Sequence, residues 1–328
     1  MCALKMHRRG LELYLIETSF IRRFAYHAIL RSLGSDPIRI EFDPANGLPR
    51  VNYGRRLGVF IGRRLNPVTI ALYACRELRL EEATGPIYLP HLLQLTGFSY
   101  VKRAANWLIS NEVRPNARVS YWEYNFPWPS YGLKPPWRCA LAEAFGGLLL
   151  IYAGYEVEAR RHLEAILTDY RRSGVSYINE RVLFPLEYVS DDKILVLNGI
   201  LHCLLILHHC GIILDDKALI HAFNVGYKSL KPHLREFDAG FFTYYDSLKN
   251  PADEKYHRIH VELLDRVYRC TGDRDLLPLI TRWTRYTKCY AIAEPLALLQ
   301  HFINRSIVKN SECSDVQTYL NSSAGCLR

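Results

Sequence analysis

Apolar residues along this chain first recur at helical spacing, then alternate, then return to helical spacing for the remainder. Residues 1–35 carry the first stripe, which ends near Gly34 and reads as an amphipathic helix. The stretch IRIEFD-PANG-LPRVNYG, residues 38–54, alternates instead, and Asn46-Gly47 in its middle supplies the turn of a β-hairpin. Beyond it the pattern predicts only helices, at about 67–80, 90–112, 136–154, 156–172, 192–210, 215–234, 257–271 and 273–289. Asp215-Asp216 and Asp273 stand where N-caps belong, and Gly154, Gly211 and Gly272 where C-caps belong.

The predicted helix at 192–210, DKILVLNGILHCLLILHHC, is apolar almost all round and should be covered on every side. Helices in sequential pairs, one inner and one outer, predict a mainly α protein in which antiparallel hairpins close into an α/α barrel, or toroid, after the short N-terminal β-hairpin. Loops at one end of such a barrel line a cleft. The expected organisation is a helix and β-hairpin lead-in over 1–65, an α/α-barrel domain over 66–304, and a loose tail over 305–328, where periodicity is lost.

Composition narrows the partner. Forty-two Lys and Arg against 33 Asp and Glu give a net charge of +9, which favours an anionic partner. The basic residues come in scattered pairs without a nucleic-acid-binding signature, which counts against nucleic acid and leaves a membrane surface or an acidic polysaccharide, between which charge does not choose. Nine cysteines without a CxxC pair read as buried thiols in a reducing compartment. The charged N-terminus is no signal peptide and no run of 18 apolar residues occurs, so a cytoplasmic protein without a membrane span is expected, one that leaves room for a homodimer.

The densest chemistry lies in FPLEYVSDDKILVLNG, residues 184–199, and FDAGFFTYYDSLKNPADEKYHRIHVELL, residues 237–264. By residue type alone this is a polar, aromatic, loop-borne cluster. The chain also holds an aromatic loop, YWEYNFPWPSYGLKPPWRCALAEA, at 121–144, and weaker matches at NPVTIALYA (66–74) and YVKRAANWLISN (100–111). Together, from about residue 50 to 288, these segments resemble the C-terminal catalytic domain of the D-glucuronyl C5-epimerases. The resemblance is most specific at Leu186-Glu187-Tyr188 with Val196-Leu197-Asn198-Gly199, at Tyr244-Tyr245-Asp246, and at Tyr256-His257 with His260.

The resemblance implies an isomerase that turns D-glucuronate into L-iduronate within a heparosan-like polysaccharide, with no cofactor and no metal. Such a reaction removes the C5 proton of a uronate and returns one on the opposite face, so two proton-transfer groups must flank the ring. Free tyrosine titrates near pH 10, so serving as a base at neutrality takes on the order of 4 kcal/mol of phenolate stabilisation. By the resemblance, Glu187 or Tyr188 stands at one face and Tyr256 at the other, with Tyr245 assisting or holding the substrate. Arg138, Lys249, His257, Arg258 and His260 are the candidates to neutralise the substrate carboxylate. Trp122, Tyr131 and Trp137 offer faces for sugar rings, and Asn198 completes the binding set. His257 and His260 are spaced for a metal, but no third ligand accompanies them.

The chain departs from the family at Glu143-Ala144-Phe145, where a glutamine-bearing stretch is usual, and at Ser247-Leu248-Lys249, where an arginine is usual. Three outcomes stay open: Lys249 or Arg258 replaces that arginine, the polymer is a different one, or the chain is inactive. Two alternatives to the epimerase also stand. A uronic-acid polysaccharide lyase begins with the same proton abstraction but leaves an ultraviolet-absorbing unsaturated ring, and a silent glycan-binding protein exchanges no C5 hydrogen.

Overall fold

The computed structural model describes residues 34–87 and 97–287. The expected N-terminal helix and C-terminal tail lie outside them, as does the start of the helix expected from residue 90. Among the described residues the chain is mainly helical with small antiparallel sheets, and it falls into two compact units, the first ending at Pro232 and the second beginning at His233.

The first unit opens on the expected hairpin. Strands β1 (Arg39–Phe42) and β2 (Pro49–Asn52) pair antiparallel, with Ile40 opposite Val51 and Phe42 opposite Pro49. Gly47 adopts a φ of 66°, the left-handed turn conformation that glycine accepts without strain. Unforeseen were β3 (Arg55–Arg56) and β4 (Val59–Phe60), which make a second hairpin, and β5 (Arg63–Leu65), which joins β2 as a third strand.

Helices α1 (Pro67–Glu77) and α2 (Glu81–Thr84) follow, then α3 (Gly97–Ser110), α4 (Ala140–Tyr152), α5 (Glu156–Ile166), α6 (Leu197–Ile213) and α7 (Lys217–Leu230). Asn66 begins α1 by accepting the Thr69 amide. Asp216 does the same for α7 through the amides of Ala218 and Leu219, and Gly154, at φ 88°, ends the α4 turn. The short turns make α4–α5 and α6–α7 antiparallel pairs. Helix α4 also packs on α1 and α6, and α3 packs on α1, so α1, α4 and α6 form an inner layer with α3, α5 and α7 outside. Every residue of α4 from Ala140 to Leu150 is buried, as is α6 from Leu197 to Leu207, which explains their continuous apolar runs. Cys75, Cys139, Cys203 and Cys210 are buried free thiols, whose ionisation burial pushes up.

Three expectations are corrected. Trp137 does not open a helix: it pairs with Tyr124, and Leu133 with Trp128, so α4 begins only at Ala140. Gly211 is no C-cap; it sits inside α6, where Ile220 comes so close that a Cβ would lie 2.6 Å from its Cδ1. The glycine serves helix contact. Finally, β6 (Ser176–Asn179) and β7 (Val182–Pro185) form a hairpin in the connection between the helices expected at 156–172 and 192–210, where no strand was expected. It hands the chain directly to Leu186-Glu187-Tyr188.

In the second unit, α8 (Glu254–Thr271) starts at Asp253, whose carboxylate accepts the Tyr256 amide at 2.8 Å, and stops at Gly272 with φ 67°. Its apolar face buries Ile259, Leu263, Leu264 and Val267, and Trp283 of the helical stretch 277–287 is fully buried.

Candidate functional site

In the first unit, Glu187 and Tyr188 are held by backbone bonds on both sides. Leu186 donates to Val175 and accepts from Ala140, while Val189 donates to the Arg138 carbonyl. This clamps the pair across the start of α4. The buried Glu187 side chain lies over Gly199, where a Cβ would stand 2.5 Å from Oε2. The carboxylate therefore faces the first turn of α6, whose N-cap, Val196, brings no side-chain acceptor. A negative charge at that positive helix end is stabilised. Asn198, in the same turn, is buried, and its Oδ1 has no hydrogen-bond partner among the described residues. Gly199→Ala is expected to displace the carboxylate and to lower stability by about 1–3 kcal/mol, as overpacking does. Chemical denaturation of the two proteins checks it.

Tyr188 is half-buried in an aromatic cluster. Its ring is 4.5 Å from that of Tyr131, 5.9 Å from Trp137 and 6.5 Å from Trp128, the last nearly parallel. Trp137 is tied beneath: it stacks on Tyr124 at 4.1 Å and donates its indole N–H to the Phe126 carbonyl at 2.7 Å. Trp122 is not part of this surface. It is enclosed, with its indole N–H on the Leu108 carbonyl and its ring stacked 3.7 Å from His162, a core position and not the sugar-facing one expected. Arg138 donates to the carbonyls of Gly174 and Tyr170 and covers the Tyr121 ring at 5.0 Å, which fixes its guanidinium to the scaffold.

Behind the aromatic loop lies a network that sequence reading missed. Buried His162 meets Glu143 through Nδ1 at 2.6 Å and Glu112 through Nε2 at 3.2 Å, and Glu143 also accepts the Trp122 amide at 3.0 Å. Burial alone would push the His162 imidazole down; the two carboxylates outweigh it and hold it above its ordinary range. Burial would likewise raise Glu112, but bonds from His162, Arg114 and Ser120 hold it at about 2. Glu143, one of the departures from the family pattern, thus anchors the aromatic loop. Its partners His162 and Trp122 lie 19 and 21 residues away, so only the folded chain reveals them.

In the second unit, the Tyr245 and Tyr256 rings meet edge to face at 4.9 Å. Tyr245 is carried on a turn stapled by buried Asp246, which accepts from the amides of Leu248 and Asn250 and from the Asn250 side chain. The Lys255 ammonium lies 5.2 Å from the Tyr256 ring centre, a cation that sequence reading passed over although it adjoins the tyrosine. Lys249 donates to the Glu236 carbonyl and sits over Tyr244, and Arg258 is exposed and paired with Glu254 at 2.7 Å. His257 and His260, expected to contact substrate, are fully buried. His257 has Nδ1 on the Thr243 hydroxyl at 3.0 Å and Nε2 on the Trp283 carbonyl at 3.0 Å, and Thr243 also meets His260 Nδ1 at 2.9 Å. These are core positions and not the substrate-facing ones expected. Desolvation, the larger effect, lowers His257 to about 4.

Among the described residues no group of three or more His, Cys, Asp or Glu side chains is arranged to hold a metal ion, and no helix is long and apolar enough to cross a membrane.

Both clusters lie within the part of the chain that matches a known family. The profile described as D-glucuronyl C5-epimerase C-terminus matches residues 116–285, more than half of the sequence, and the chain belongs to that family. It is also similar to an uncharacterized protein of Methanocaldococcus jannaschii, 27% identical over 262 residues that cover 72% of this chain and 82% of the relative.

Proposed function

We propose that the chain is a polysaccharide-uronate C5-epimerase that converts D-glucuronate to L-iduronate residues in a heparosan-like polymer. The observation that carries this reading is the family match, which spans both Glu187-Tyr188 and the Tyr245–Tyr256 pair. Residues 66–304 would act as one catalytic barrel, closing the inner and outer layers of helices into an α/α toroid.

In the proposed reaction, a phenolate at Tyr256 removes or returns the C5 proton on one face, and Glu187 or Tyr188 serves the other. Lys255 beside the Tyr256 ring favours the phenolate, which matters because an unassisted tyrosine holds its proton at neutrality. Tyr245 packs against Tyr256 and keeps its ring from turning. The C5 carbanion is an enolate only if its carboxylate is neutralised, and Arg138, Lys249 and Arg258 are the cations available near the two clusters. Tyr131, Trp128 and Tyr188 present the ring surface for a sugar, with Asn198 buried in the adjacent helix turn. The net charge of +9 suits an acidic polymer.

Incubation with heparosan followed by product analysis tests this. Iduronate signals by NMR, with chain length unchanged, are expected. An ultraviolet-absorbing unsaturated ring and shortened chains would replace the epimerase with a lyase, and an unaltered polymer would leave a glycan-binding protein.

A further inference from the structure

His162 is fully buried on α5 with a carboxylate at each ring nitrogen, Glu143 Oε2 at 2.6 Å from Nδ1 and Glu112 Oε2 at 3.2 Å from Nε2. A carboxylate oxygen accepts, so both bonds are made at once when the imidazole carries both of its protons. Burial, the largest effect on Glu143, raises its carboxyl, and the bonds from His162 and from the Trp122 amide oppose that, as does the charge of Arg138 just ahead of α4. Around Glu112, which comes from the segment after α3, Arg114 stands at 2.6 Å and Arg161 at 3.2 Å, and Glu158 pairs with Arg161 at 3.4 Å. His162 is thus an imidazolium between two carboxylates, and it titrates above the ordinary histidine value although burial opposes the charge.

The cation lies against an indole. Trp122 stacks on the His162 ring at 3.7 Å with 6° between the planes, so the ring charge meets a π face. Helix α4 makes room for the indole with Gly146, where a Cβ would stand 2.4 Å from it. From Trp122 a short run leads to the rings about Tyr188. Tyr124, two residues on, exchanges backbone bonds with Trp137 at 2.8 and 3.3 Å and stacks on it at 4.1 Å, and Trp137 lies 5.9 Å from Tyr188. We infer that His162 is a positioning residue: its imidazolium latches Trp122 and Glu143 together and so holds Trp137 and the ring cluster about Tyr188 in the arrangement that a sugar meets. Loss of either ring proton turns a lone pair toward a carboxylate and takes the positive charge from the Trp122 face. Because His162 titrates above its ordinary value, the latch is complete below about 6.5 and opens as pH rises through the raised value.

The sugar-binding part of this role rests on the proposed epimerase reading; the latch does not. Nitrogen-15 NMR of the full chain, with histidines assigned by substitution, should find His162 protonated on both nitrogens at neutral pH. The signal of the Trp137 indole N–H, which donates to the Phe126 carbonyl, should move with the same midpoint as His162 when pH is raised. A neutral His162 at neutral pH, or a Trp137 signal indifferent to its titration, would overturn the latch, and both are read on the wild-type protein. Glu143→Gln keeps an acceptor for the Trp122 amide and turns an amide donor toward His162 Nδ1, so the imidazole becomes neutral with its bonds kept and the Trp137 titration should vanish. A Trp137 signal that titrates as before in that variant would also overturn it. Heparosan affinity reads the ring cluster: in the wild type it should weaken on the order of tenfold as His162 loses its proton, while Glu143→Gln shows no such step. The same step in both proteins would remove the positioning role. The expected NMR titrations in a wild-type protein that binds no heparosan at any pH would uphold the latch and discard the epimerase reading.

Discussion

Tyr256→Phe is expected to lower C5 hydrogen exchange by roughly 10²–10⁴-fold, the usual scale for one positioned acid–base group, while polymer binding changes little. The phenyl ring preserves the edge-to-face contact with Tyr245 at 4.9 Å and the face beneath Lys255, and the Asp253 cap engages only the backbone amide of residue 256. The substitution therefore removes the ionisable oxygen and keeps the ring contacts with Tyr245 and Lys255. A variant as active as the parent would exclude Tyr256 from proton transfer. A variant with a raised KM and unaltered kcat would make the hydroxyl a binding group.

The second large effect concerns the fold beneath the aromatic loop. Glu143→Ala is expected to cost about 3–5 kcal/mol, because it leaves a buried imidazolium without its nearer carboxylate and the Trp122 amide without its acceptor. Denaturant unfolding would read this, and a loss below about 1 kcal/mol would contradict the charged network. The pH dependence has a definite sign. His162 titrates above its ordinary value, so its contribution is complete below about 6.5 and is lost as pH rises through the raised value. Glu112 titrates at about 2 in place of 4.5, so its contribution is present above 4.5 and fades as pH falls toward 2. These two groups stabilise most between those limits, and Glu143→Ala should flatten the alkaline side.

How much of this was legible in the sequence depended on whether the signal was local. The Asn46-Gly47 turn, the Asp216 and Gly272 ends of helices and the burial of α6 rest on residues a few positions apart, where spacing carries the information. Gly211 illustrates the limit: a helix-ending glycine and a glycine that admits Ile220 are the same letter, and the neighbour that decides is in another helix. The β6–β7 hairpin carries no clean alternation, since Val182, Leu183 and Phe184 are consecutive apolar residues, and strands of four residues are too short for their period to show between helical runs. Within the site, residue types near Glu187 and Tyr256 were readable from the family pattern. Trp122 and His257 were misplaced because an aromatic or imidazole ring suits a ligand and a core equally well. What settles them is His162 under one and the Trp283 carbonyl beside the other.

The central claim is that this chain takes a proton from C5 of a uronate in a polymer and returns one. Incubation of the full chain with heparosan in deuterated water, followed by NMR, measures that step without assuming which product accumulates. Deuterium at C5 of both glucuronate and newly formed iduronate residues is the predicted result. A polymer that binds the protein yet keeps its C5 hydrogens through long incubation would contradict the account.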